Sequence, residues 1–305
     1  MPPFLGCAAE MDAVRCPNPR CGAPAPETLL RCEKPYDLDG GAHLLRFRFA
    51  HCKACGLAFV DPQPDARVLG AFYPDEYAYW DVPPRATLGE RFKFALAAWR
   101  HPRGGGPLSA MRRGVASAVE RLAGRDASFS LGIPAGLPRE SRILDFGFGA
   151  GGFLLALRAF GFTDLWGYDV EGNQRNRIAL EAAGVRAFTG GDLLPLPDRS
   201  FDCIRLEHVL EHLPDPVGRL RELRGKLRRE GLLVLTVPSI HAWEPLEALA
   251  RSPHLDHLQL PIHLWHHSMR SFADFIAAAG FDVVQVRRLR PYSYLSALAR
   301  VDGAS

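Results

Sequence analysis

The sequence predicts an α/β chain whose main body is an open, doubly wound, mostly parallel sheet, preceded by a small cysteine-rich module. Three observations predict it. Residues 141–240 alternate short apolar runs with amphipathic stretches, the pattern of repeated strand–helix units. A glycine-rich loop with Gly147, Gly149, Gly151 and Gly152 follows the first of these strands and opens a helix. Two cysteine pairs, Cys16 with Cys21 and Cys52 with Cys55, precede all of this, and a glycine follows each pair.

A chain of 305 residues suits a core domain of roughly 150–200 residues with a smaller unit attached. Its character divides it into a module at 1–61, a helical and aromatic linker or lid at 62–140, and the main domain at 141–305. Within the main domain, strands are expected at 142–146, 165–169, 185–188, 202–206 and 232–237. Helices are expected at 151–160, 173–183, 216–228 and 269–279, the last stopped by Gly280 as a left-handed cap. Residues 281–287 alternate as a further strand. In such a sheet the ligand lies beyond the carboxyl ends of the strands.

Each cysteine pair supplies two thiolates from one tight turn, and the glycine after it lets backbone amides turn toward sulfur. Two such knuckles, separated by a stretch at 44–49 that alternates as a strand, form a tetrahedral zinc-ribbon site. With Cys16, Cys21, Cys52 and Cys55 as ligands no position stays open, so the metal is expected to be structural. Cys32 and Cys203 read as core thiols and Cys7 as part of a loose terminus, with Cys32 a substitute ligand if Cys16 or Cys21 is out of reach.

The glycine loop alone fits dinucleotide binding as well as other nucleosides. Asp145, at the end of the first strand, separates them. A carboxylate there repels a pyrophosphate but attracts the ammonium and sulfonium of S-adenosylmethionine (SAM). Asp169 ends the second strand, where it can take the ribose hydroxyls, and Asp192 follows the third, where it can accept from the adenine amino group. Val170, Leu193 and Glu207 complete the candidate cofactor-binding residues with Gly147, Gly149 and Gly151.

Taken together, Asp145, the three glycines, Asp169, Asp192, Phe201-Asp202 and the run from Glu207 to Pro216 resemble class I SAM-dependent methyltransferases. The likeness covers about residues 141–290 and is greatest to ubiquinone-type O-methyltransferases and to sugar- and natural-product-modifying enzymes. It implies a Rossmann-like fold and methyl transfer. The ribbon, followed by Phe72, Tyr73 and Tyr77, is similar to N-terminal modules of bacterial methyltransferases of deoxysugar and surface-glycan pathways.

Methyl transfer needs an in-line acceptor and, for a hydroxyl, a base. The fourth strand delivers Glu207, His208, Glu211 and His212 to the carboxyl edge. His208 and His212, four apart, are expected on one side of a helical first turn, and either is a candidate base. His263, His266 and His267 follow the fifth strand, and Tyr77, Tyr79 and Trp80 are candidates for an acceptor wall, with Tyr77 counted among the catalytic residues. The resemblance to ubiquinone-type and small-RNA 3′-end ribose methyltransferases also implies a divalent ion held by Glu-x-x-Glu-His. Here His208 replaces the first acid, so a second metal at His208, Glu211, His212 and His263 is expected to be zinc, iron or nickel rather than magnesium.

A net charge of +3 and the lack of an aromatic-basic platform argue against nucleic acid. No stretch is apolar enough to span a membrane, and the N-terminus has no signal-peptide pattern, so a cytoplasmic setting is expected. The function expected is SAM-dependent methylation of a small molecule, an oxygen of a sugar or secondary metabolite. The alternatives are a metal-dependent RNA 3′-end ribose methyltransferase, or a zinc-ribbon scaffold with an idle SAM domain. A homodimer, or a protein partner docked on the ribbon, remains open at this level.

Overall fold

The computed structural model describes residues 15–72, 107–122, 132–134, 137–170, 173–190, 193, 195–243, 258–289 and 294–301. The main sheet comprises β4 (Arg142–Phe146), β5 (Asp164–Asp169), β6 (Arg186–Thr189), β7 (Phe201–Glu207), β8 (Leu227–Pro238), β10 (Phe281–Leu289) and β11 (Tyr294–Val301). Its order is β10-β11-β8-β7-β4-β5-β6. All neighbours from β8 to β6 run parallel, while β11 is antiparallel to β8 and to β10. The winding reverses between β4 and β7. That reversal is the topological switch point, where a doubly wound sheet opens a crevice at its carboxyl edge.

Alternate side chains of each strand go to opposite faces. On one face Leu144, Ile204 and Leu235 pack with α5 (Pro216–Lys226) and α6 (Met269–Ala278) through Leu220, Leu223, Phe272 and Ile276. On the other, Ile143, Leu165 and Cys203 pack with α3 (Gly152–Ala159) and α4 (Gln174–Ala182) through Leu154, Leu157 and Leu180. Helices therefore cover both faces, as the alternating sequence pattern requires. Helix starts follow local chemistry: Asp215 accepts from the amide of Gly218 ahead of Pro216, and Ser268 forms a capping box with Ser271.

Several boundaries differ from expectation. The helix expected to run to residue 228 ends at Lys226, because Leu227 is already extended and buried as the first residue of β8. The strand expected to be last is followed by β11, which slots between β8 and β10. Helix α2 (Pro107–Leu122) lies in the stretch read as helical linker.

The N-terminal module is an antiparallel sheet in the order β1 (Glu27–Leu38), β2 (Gly41–His51), β3 (Ala58–Asp61) and β9 (Trp265–His266), with α1 (Ala66–Gly70) after β3. The β1–β2 hairpin turns at Asp39 (φ 53°) and Gly40 (φ 77°), the left-handed pair that a two-residue hairpin loop demands. Its fourth strand comes from the far end of the chain. β9 pairs antiparallel with β3, Ala58 opposite His266 and Phe59 opposite Trp265. No helix among the described residues is long and apolar enough to cross a membrane.

Candidate functional site

The glycine loop needs its glycines. Gly147, Gly149 and Gly151 have φ of 84°, 52° and 76°, a region side chains avoid. A Cβ on Gly147 would lie 2.3 Å from Val209 Cγ2, and one on Gly151 would lie 2.9 Å from Leu180 Cδ2. The loop thus turns tightly between β4 and α3, with the Gly147 amide bonded to Tyr168 O and the Gly151 amide to Phe148 O.

Asp169 ends β5 beside this loop. Its Oδ2 accepts from the Gly149 amide at 2.7 Å and from Asn173 Nδ2 at 2.8 Å, and its Oδ1 accepts from the Val170 amide at 2.8 Å. A carboxylate offers about four acceptor positions, so these bonds leave room for one more donor. A ribose gripped through both hydroxyls must displace Asn173 or Gly149. Burial raises the Asp169 pKa above the usual carboxylate range, partly offset by its bond from Asn173. Val170 is exposed, while Leu193 turns its side chain into the core beside β5.

Asp145 is buried and accepts a bond from Arg205 Nη1 at 2.8 Å. Arg205 also pairs with the half-exposed Glu207, and its guanidinium carbon lies 3.9 Å from the Phe153 ring centroid. Burial pushes the Asp145 pKa up to about 6, against the pull of Arg205. Two carboxylates around one guanidinium leave a net negative charge beneath the loop. Sequence reasoning missed Arg205, and a charged residue inside the apolar run 203–206 was its one visible signal.

Beyond β7 the chain does not start a full helical turn. His208 takes φ 55° with its amide bonded to Thr236 O, and a short 3-10 turn follows at Leu210–His212. A non-glycine residue held there is strained, and such strain gathers at functional sites. His208 Nδ1 lies 3.3 Å from Glu211 Oε1, and its ring meets Tyr294 edge-on. Glu211 is fully buried, and its Oε2 has no hydrogen-bond partner among the described residues.

His212 and His263 stack edge-to-face with centroids 4.7 Å apart, and His266 follows 5.8 Å from His263. Glu211, His212 and His263 each offer a ligand atom within 4.8 Å of the others. Burial lowers the pKa of all three imidazoles, with His266 held at about 4, so they are neutral at pH 7. His263 is brought here by the segment that continues into β9, where the Leu264 amide donates to Glu211 O.

Cys16, Cys21, Cys52 and Cys55 converge at the base of the module. Cys16 and Cys55 sulfurs are 3.6 Å apart, and those of Cys21 and Cys52 are 3.7 Å apart. A tetrahedron with zinc–sulfur bonds of 2.3 Å has edges of about 3.8 Å, so the donor set fits zinc. Gly22 and Gly56 supply the left-handed turns after each pair, with φ of 60° and 73°. A hydrogen bond from Cys16 holds the Cys55 thiol below its ordinary range. Cys32 is half-buried on β1, and Cys203 lies in the core with its pKa pushed up to about 12 by burial. Asp192, Tyr77, Tyr79, Trp80 and Cys7 lie outside the described residues.

The chain is similar to an uncharacterized 37.1 kDa protein in transposon TN4556 of Streptomyces fradiae, 40% identical over 79 residues that cover 25% of this chain and 21% of that protein. The match thus spans about a fifth of the relative's length. Among solved structures it is similar to an S-adenosylmethionine dependent methyltransferase from Mesorhizobium loti (19% identity, TM-score 0.43, 54% of this chain and 93% of that one). Another is a SAM dependent methyltransferase from Aquifex aeolicus (20% identity, TM-score 0.43, 55% and 85%). A family model described as a methyltransferase domain matches residues 108–286 of the 305, and the chain therefore belongs to the methyltransferase-domain family.

Proposed function

We propose that this chain transfers a methyl group from SAM to an oxygen of a small molecule, a sugar or a secondary metabolite. One observation carries the reading: two chemistries share one rim. The glycine loop and Asp169 end β4 and β5, while His208, Glu211, His212 and His263 stand past β7 and β8, across the switch point. SAM, when bound, supplies an electrophilic methyl on a sulfonium. Asp169 holds the ribose and Asp192 the adenine. The exposed Val170 flanks the nucleoside, and Leu193, its side chain in the core, meets it through its backbone. Asp145 and Glu207, tied by Arg205, supply negative charge for the cationic amino-acid end.

His208 is the base in this reading. Its Nε2 accepts the acceptor hydroxyl proton as the oxygen attacks in line, and Glu211, against Nδ1, orients the ring and stabilises the charge it gains. The buried His263 and the half-buried His212, both neutral, shape the wall, and Tyr77 is assigned to acceptor binding.

A second reading has its own observation. The orphaned Oε2 of buried Glu211, together with His212 and His263, fits a divalent cation, since an unpaired buried carboxylate is costly. Such an ion, held by Glu211, His212 and His263, would supply Lewis-acid polarisation of the acceptor oxygen. For the module, Cys16, Cys21, Cys52 and Cys55 hold a structural zinc, which suits a reducing cytoplasm.

Labelled-methyl SAM, incubated with the protein and separated small-molecule and RNA fractions, tests the proposed acceptor class. Label in small-molecule products is expected. Label confined to RNA 3′ ends, or none in either fraction, contradicts it.

A further inference from the structure

The ribbon and the catalytic rim are built into each other, and the joint lies on the segment that carries His263. Its amides and carbonyls are divided between two partners. The Leu264 amide donates to Glu211 O at 2.8 Å, while Leu264 O accepts from the Val60 amide of β3 at 3.0 Å. β9 then completes the ribbon sheet beside β3, and His267 bridges to Ser239 just past β8. Trp265 Nε1 donates to Leu213 O at 2.7 Å behind the rim.

The second knuckle is fixed to the next element. Ser268 Oγ, the cap of α6, donates to Cys55 O at 2.6 Å, and Arg270 Nη1 donates to Ala54 O at 2.8 Å. From the first knuckle, Asn18 Nδ2 donates to Asp274 Oδ2 at 2.8 Å. Gly56 has no room for a side chain there, since a Cβ would lie 2.8 Å from Ser268 Cβ. Apolar packing is shared as well: Cys16, Cys52, Cys55 and Leu57 sit in one buried cluster with Leu264, Trp265 and Phe275.

We infer that the thiolate cluster is a positioning device for the rim. Its two knuckles and β3 brace residues 263–268, and the place of His263 beside Glu211 and His212 depends on the ribbon being folded around its metal. Ser268 and Arg270 are positioning residues, acting through the backbone that carries His263. The inference rests on the proposed reading of His263 as part of the acceptor site.

Hydrogen exchange on the full chain, zinc-loaded against chelator-stripped, tests the brace directly. Stripping is expected to speed exchange of the Val60 and Leu264 amides by at least about tenfold while those of β4 and β5 keep their protection. Loss of protection through 52–61 with Leu264 unchanged overturns the inference. Should stripping cost the whole fold, the Ser268→Ala, Arg270→Ala variant decides. It leaves the thiolates intact, and retained zinc with an unprotected Leu264 amide is the expected result; unchanged protection overturns it. In that variant SAM affinity should stay within about twofold while kcat falls at least about tenfold. An unchanged kcat with protection lost overturns the positioning of His263. The exchange measurement reads the brace and the kinetics read the site, so the two fail separately.

Discussion

Replacing Cys52 and Cys55 together by serine is expected to release the zinc and unfold the N-terminal module first. Two of four thiolates leave, and a structural zinc site is worth apparent free energies of about 10–16 kcal/mol in small peptides. Elemental analysis should find one zinc per wild-type chain and none in the variant. Limited proteolysis should cut the variant ahead of β4 and spare the main sheet. A wild-type protein that is well folded and metal-free removes the zinc site.

The second large effect is at the rim. His208→Ala is expected to lower kcat by about 10²–10⁴-fold, the usual contribution of a positioned base. Under the base reading, a chelator that leaves the thiolate-bound zinc in place has no effect on turnover. Under the metal reading it abolishes turnover and a first-row metal restores it. The two readings thus part on one measurement, with zinc content checked alongside. Full turnover by a His208→Ala, His212→Ala double variant contradicts both and leaves proximity alone to carry the reaction.

What the sequence made legible was local. The glycine loop, Asp169 and the two knuckles each announce themselves within a few residues, because tight turns need glycine and the acids sit directly at strand ends. Helix starts at Asp215 and Ser268 are equally local. Non-local pairing was not legible. Arg205 reaches Asp145 across sixty residues of chain, and nothing near position 145 signals that its carboxylate is already paired. β9 is two residues long and finds its partner on the ribbon, so no periodicity marks it. The run 294–301 carries two alanines, a serine and an arginine, which weaken its strand signal, yet it is an interior strand with Leu295, Ala297, Ala299 and Val301 buried on one face. At 208–212 the four-residue spacing suggested a helical turn. The bond from the His208 amide to Thr236 O on β8 instead ties the end of β7 to its neighbour, and the chain leaves it through a left-handed residue and a short 3-10 turn.

The central claim is that SAM binds across β4 and β5 with Asp169 at its ribose, and a calorimetric titration of SAM into wild type and Asp169→Ala tests it most directly. Each charge-assisted hydrogen bond contributes roughly 1.5–3 kcal/mol. Wild type should therefore bind one SAM per chain, and the variant should bind at least about tenfold more weakly with its far-ultraviolet spectrum unchanged. Equal affinity in the two proteins, or no binding by wild type, contradicts the account.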